Sequence, residues 1–197
     1  GVVPQKQCFG IAGGQGDGRS LIIFITGGVQ RLHAGVFRAL SREEAPLANA
    51  LADSIKPTFS HWNEDYPTLE LFEQDAVAGE LFGYFIDNKL VSIIVATTAP
   101  EEFEDVLGVP GANWPDSKRP CMLCRLCVDV NYRRRGIGEY MMHHAEAEAK
   151  RRGADALWLL VATDNPTAYS IYERIGYRLC GRANIYDADF YCCAKDI

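Results

Sequence analysis

One short segment limits the possible folds of this chain more than any other. Cys127-Val128-Asp129-Val130 is strand-like and turns through Asn131-Tyr132 into Arg133-Arg134-Arg135-Gly136-Ile137-Gly138, which opens directly into a helix. The first turn of a helix has unpaired backbone N–H groups and a partial positive charge. Glycines let that backbone approach a bulky anion closely, and the arginines add charge and directional donors. The segment therefore reads as a pyrophosphate cradle at a strand-to-helix junction. In isolation the same arginine–glycine cluster reads equally well as a solvated turn.

The rest of the chain supplies the context of this segment. Val36–Leu40 is strand-like, and Ser41 with Glu44 three residues on forms a capping box for a helix that Pro57 closes. An aromatic loop, His61 to Pro67, precedes a second helix starting near Thr68. Leu81–Ile86 and Leu90–Thr98 are β-rich and joined by Asp87-Asn88-Lys89, a hairpin signature. Residues 99–120 read as a long loop, a common place for a lid or binding loop. A strand over Cys121–Val130, a helix over Gly136–Arg152 ended by Gly153, and a strand over Leu157–Ala162 come next. A helix over Pro166–Ile175 and strands over Tyr177–Cys180 and Tyr186–Ala194 complete the order. Such alternation predicts a mixed α/β (α+β) fold with helices flanking one sheet.

A second cluster lies downstream: Asn165-Pro166-Thr167-Ala168, then Tyr172-Glu173-Arg174-Ile175-Gly176-Tyr177. Together with Arg133, Gly136 and Gly138, it resembles the GNAT superfamily of acyl-CoA-dependent N-acetyltransferases. The donor signature of that family is Gln or Arg, two residues, Gly, one residue, then Gly or Ala. Its second pattern places an Asn, an Ala, a Tyr and a Gly-aromatic pair at the spacing of Asn165, Ala168, Tyr172, Gly176 and Tyr177. The resemblance is strongest over residues 120–180 and reaches from 36 to the end. Residues 36–197 are thus read as the acetyltransferase domain. Residues 1–35 are read as an N-terminal extension, either an added edge strand over Ser20–Thr26 or a segment foreign to the protein; they are expected to be dispensable for donor binding.

The resemblance implies a mostly antiparallel mixed sheet of about six to seven strands with about four helices. It implies acetyl transfer from acetyl-CoA to a primary amine, carried by a small molecule, a peptide or a protein. Leu126, Cys127 and Val128 would offer backbone groups to the pantetheine arm. Arg133, Arg134, Arg135, Gly136, Ile137 and Gly138 would hold the pyrophosphate, and Asn165 and Ala168 would meet the coenzyme arm. Tyr172 would protonate the departing thiolate, although Ala168, Ile171, Tyr172 and Ile175 also share an apolar helix face. The family often places a glutamate base on the strand before the cradle, where this chain has Arg125 and Asp129. Glu64, Asp65, His61 or a water chain are the alternatives. Trp62 to Thr68 is similar to the stretch before the second helix in bacterial GNAT proteins of unassigned substrate, which makes Trp62, Glu64 and Tyr66 candidates for the acceptor side. Family members are often dimers, and the sequence leaves open whether this one pairs with a second copy. A non-catalytic acetyl-CoA sensor is the runner-up.

Composition narrows the alternatives. A chain of 197 residues fits one domain, and a net charge of −6 disfavours nucleic acid and anionic membranes. Leu21–Ile25 is too short to span a bilayer, so a cytoplasmic protein is expected. The seven cysteines are odd in number and read as reduced thiols. Cys121, Cys124 and Cys127 have iron–sulfur-like spacing, but on a strand they cannot converge, so no metal is expected. Gly13, Gly18, Arg19 and Ser20 mimic a P-loop, but a strand-like run follows them where that motif needs a helix.

Overall fold

The computed structural model describes residues 35–58, 61–104, 106–185 and 187–197. The Ser20–Thr26 strand and the P-loop-like glycines lie outside the described residues.

Alternating apolar runs build a seven-stranded sheet in the order β1-β2-β3-β4-β5-β7-β6. The strands are β1 (Gly35–Ala39), β2 (Leu81–Ile86), β3 (Lys89–Thr97), β4 (Pro120–Val128), β5 (Ala156–Ala162), β6 (Arg178–Ile185) and β7 (Ala188–Asp196). Every pair is antiparallel except β4 with β5. Asp87 and Asn88, at φ 49° and 62°, form the tight turn that joins β2 to β3.

Five α-helices accompany the sheet among the described residues: α1 (Ala45–Ile55), α2 (Leu69–Val77), α3 (Pro100–Glu104), α4 (Ile137–Arg151) and α5 (Pro166–Arg174). The capping box forms at the 3-10 turn ahead of α1, where Ser41 N–H donates to Glu44 Oε2 at 3.1 Å. α4 buries Ile137, Met141, Met142, Ala145 and Ala149 at helical spacing against Phe82, Tyr84 and Ile94, with α5 packed beside it. Leu81, Ile93 and Val95 point the other way, onto Ala48, Ala52, Ile55 and Phe72 of α1 and α2. Alternation along β2 thus assigns each side chain to one of two cores. Each large apolar side chain fully buried contributes about 1.5–3 kcal/mol.

Two expectations need correction. Residues 100–104 are helical, because Pro100 opens a helix rather than breaking one. The rest of the long loop is no lid. Trp114 stacks on Trp158 of β5 with ring centroids 4.8 Å apart and donates its indole N–H to Val106 O at 3.1 Å, while Ala112 bridges to Gly181. The loop covers a third apolar cluster around Met122, Trp158 and Cys192, opposite α5. β6 also runs past its expected end at Cys180, because an irregularity between Leu179 and Gly181 lets pairing with β7 resume.

Candidate active site

The parallel partners β4 and β5 pair only from Pro120, Cys121 and Met122 to Ala156, Leu157 and Trp158. Beyond that they diverge, and the gap is a cavity of about 860 Å³ walled by Leu123 to Val128 on one side and Leu159 to Ala162 on the other. The splay has a local cause. Ile93 faces Cys127 but Val95 faces Cys124, so Arg125 and Leu126 together oppose a single residue of β3. Arg125 takes up the extra length at φ 53°. Such a bulge bends its strand, here away from β5.

The floor of the cavity is the turn that follows β4. Asp129 closes a 3-10 turn by accepting from Asn131 N–H at 2.9 Å. Arg134 at φ 61° and Gly136 at φ 77° then curl the chain into α4. The first helical bond runs from Tyr140 N–H to Gly136 O at 3.0 Å, so the N–H groups of Ile137, Gly138 and Glu139 precede the ladder. Arg133, Arg134, Gly136, Ile137 and Gly138 line the cavity. Arg135 does not: it turns back to donate to Asn131 O at 3.1 Å and lies over the Tyr132 ring.

α5 forms the far wall with Ala168, Ile171 and Tyr172. Asn165 caps this helix, its Oδ1 accepting from Ala168 N–H at 3.1 Å, which leaves only its amide nitrogen to donate elsewhere. Tyr172 packs against Tyr177 at 5.9 Å between ring centroids, and burial pushes its phenol up to about 12. The ring of Tyr172 packs on the core, in keeping with its place on the apolar face of α5, and also lines the cavity.

Neither Asp129 nor Arg125, which stand where the family often places its glutamate, offers a free carboxylate. Burial pushes Asp129 upward, but the Lys89 ammonium at 2.8 Å and Asn131 outweigh it and hold the carboxyl below the usual value. Arg125 is buried between carboxylates, with Nε 3.3 Å from Asp75 Oδ2 and a short contact to Glu102. Burial in turn pushes Asp75 up to about 6 against the pull of Arg125. Burial also raises the Cys124 and Cys127 thiols to about 12, which removes them as nucleophiles at neutral pH. The six cysteines described carry free thiols.

Of the aromatic loop, Trp62 and His61 reach the cavity and Glu64, Asp65 and Tyr66 do not. Tyr66 instead lies with its ring centroid 5.8 Å from the Arg125 guanidinium. Leu160, Ala162, Asp164 and Phe190 complete the lining and had no sequence signal beyond strand-like apolarity and a turn. No group of three or more potential metal ligands occurs among the described residues.

A family profile described as the acetyltransferase (GNAT) family matches residues 48–177. The chain belongs to this family. Solved GNAT-fold structures share the architecture. Ard1 from Thermoplasma volcanium superposes with a TM-score of 0.65 at 17% identity, over 83% of this chain and 97% of that one. The PaiA N-acetyltransferase of Thermoplasma acidophilum, in complex with coenzyme A, gives 0.61 at 21% identity, over 83% and 99%. Among curated proteins, the ribosomal protein bS18-alanine N-acetyltransferase of Escherichia coli K12 is 36% identical over 55 residues, 28% of this chain and 37% of that protein. Streptothricin acetyltransferase of Streptomyces lavendulae is 44% identical over 54 residues, 27% of this chain and 29% of that protein. This GNAT chain thus aligns with only 37% and 29% of the length of these two curated relatives. No helix among the described residues is long and apolar enough to cross a membrane.

Proposed function

We propose that the protein transfers an acetyl group from acetyl-CoA to a primary amine. The observation that carries this reading is the splay of β4 from β5 above the open N-terminus of α4. An extended amide-bearing chain fits a gap where backbone groups of one strand have lost their partner strand, and a pyrophosphate fits unpaired helix N–H groups flanked by Arg133 and Arg134. Leu126, Cys127 and Val128 would pair with the pantetheine arm, Gly136 to Gly138 would hold the pyrophosphate, and the Asn165 amide would donate to the arm beside Ala168. When bound, the coenzyme supplies an activated acetyl thioester and a thiol leaving group.

The chemistry then divides between two proton problems. A lysine-like amine costs about 4–5 kcal/mol to deprotonate at pH 7, and an α-amino group only about 1 kcal/mol. The departing thiol, with an ordinary value near 8.5, is close to a stable anion. Tyr172 faces the cavity and donates a hydrogen bond to the sulfur as charge gathers there. With both wall cysteines held as thiols, the amine attacks the thioester directly, without an acyl-enzyme. Trp62 and Phe190 would flank the acceptor, and the two curated relatives, named for an alanine and for streptothricin, suggest which amines to try first.

The test is free thiol release from acetyl-CoA with a panel of acceptors, namely a peptide with a free N-terminal alanine, streptothricin and a polyamine. Mass spectrometry would report the added acetyl group. Transfer to at least one is expected. Tight acetyl-CoA binding without transfer to any amine would favour a sensor, and absence of binding would overturn the reading altogether.

A further inference from the structure

We infer that His61, oriented by Asp164, is the base that takes the proton from the acceptor amine. The inference rests on the acetyl-transfer reading and identifies the group that this reading lacks.

Thr58, His61 and Trp62, described residues between α1 and α2, line the cleft, and two of them are tied to its walls. Thr58 Oγ1 accepts from Arg133 at 3.3 Å on the β4 side, and His61 Nε2 meets Asp164 Oδ1 at 3.2 Å on the β5 side. The His61 ring also packs on Phe190 of β7 with centroids 5.4 Å apart. Phe190 pairs with Ala162, which lies on the wall of the splay. The imidazole is thus held over the side of the cleft opposite α4 and α5, which leaves that side for an acceptor.

A carboxylate only accepts, so its bond to Nε2 places the ring proton there and leaves a lone pair on Nδ1. The competing bases fall away one by one. The acids and imidazoles that line the cavity are His61, Glu139 and Asp164. Glu139 sits in the first turn of α4, bound to Arg174 at 2.5 Å. Asp164 faces the ring it orients. Asp75 and Glu102 neutralise Arg125, and Glu64 and Asp65 lie outside the cavity.

The proton count closes. An ammonium acceptor gives one proton to Nδ1, and its freed nitrogen lone pair forms the bond to the thioester carbon. The C–S bond breaks with its electron pair going to sulfur. The second nitrogen proton is lost as the amide forms and ends on the thiolate, while the proton on His61 passes to solvent.

The experiment compares two nucleophiles with acetyl-CoA at saturation. One is a short peptide with a free N-terminal alanine, which arrives largely protonated. The other is hydroxylamine, which is already neutral at pH 7 and needs no base. In His61→Gln the ratio of peptide to hydroxylamine rates should fall about 10-fold at pH 7, because only about a tenth of an α-amino group with an ordinary value near 8 is then already neutral. Asp164→Asn should lower the same ratio by a smaller factor, and the double variant should be no worse than His61→Gln. Equal losses with both nucleophiles would show that His61 only holds the loop, and an unchanged ratio would show that another group takes the proton. Either result overturns the inference while leaving acetyl transfer intact. A wild-type protein that binds acetyl-CoA but acetylates neither these probes nor any other amine of the panel would overturn the transfer reading, and this inference with it.

Discussion

Replacing Tyr172 by Phe deletes one hydroxyl and keeps the ring on Tyr177, so it separates chemistry from packing. Burial pushes the Tyr172 phenol up to about 12, whereas the thiol it would serve has an ordinary value near 8.5. Full proton transfer to the thiolate is therefore uphill by about 3.5 units, or roughly 5 kcal/mol. What Tyr172 would supply in this environment is a hydrogen bond to a developing anion, worth about 1.5–3 kcal/mol. That converts to a loss of about 10- to 150-fold in the chemical step. The assay is single-turnover thiol release with acetyl-CoA bound before the amine is added, so that product release does not mask the step. The dissociation constant of acetyl-CoA, measured by calorimetry, should stay within about twofold, a loss in kcat rather than in donor affinity. A Phe variant with wild-type single-turnover rates would return Tyr172 to a packing role. A loss beyond about 10⁴-fold would refute the argument from the other side, because it would require complete proton transfer from a phenol far more acidic than burial allows.

Gly136 sits at φ 77° with nothing within 4 Å of an added Cβ. Gly136→Val should therefore weaken acetyl-CoA binding at least tenfold in a calorimetric titration, through backbone strain of about 1–2 kcal/mol and a side chain standing where the anion approaches, with no internal clash to blame. Arg125→Met leaves the buried Asp75 and the half-buried Glu102 without their cation and should cost about 3–5 kcal/mol in urea denaturation. Asp75 has its folded value raised to about 6, so the native state binds the extra proton. Its stabilising contribution is present below about pH 4 and is lost as pH rises through 6, on the order of 2–3 kcal/mol. The slope of stability against pH over that window should flatten in Asp75→Asn. Gly181→Ala would put a Cβ 2.0 Å from Gly111 O; it should undock the loop and alter Trp114 fluorescence while leaving acetyl-CoA affinity near wild type.

The local parts of the site were readable because short-range chemistry specifies them. The Asn165 cap, Pro166 at the first turn of α5 and Gly136 ahead of α4 each act within a few residues. The parts that escaped depend on contacts distant in sequence. The cover over β5 exists because Trp114 finds Trp158, and nothing near either residue announces the other. The bulge that opens the cleft carries a left-handed Arg125 rather than a glycine, so the run Cys121 to Val130 looked like one regular strand. Glu64 and Tyr66 were drawn in by neighbourhood, yet the loop presents only Trp62 and His61 to the cavity. Arg135 looked like one of three equal arginines until the turn sent it outward.

The three-residue pairing of β4 with β5 is the narrowest seam of the sheet, with β1 to β4 on one side and β5, β7 and β6 on the other, while α4 packs across it. A ligand that bonded to both walls of the splay would act as a missing strand and couple their opening. Saturation at 100 times the dissociation constant adds about 2.7 kcal/mol to the folded state. That increment would be concentrated in the backbone flanking the seam, where local opening is otherwise cheapest. On the proposed binding mode, the hydrogen bonds that hold the donor would also hold the two halves of the sheet together.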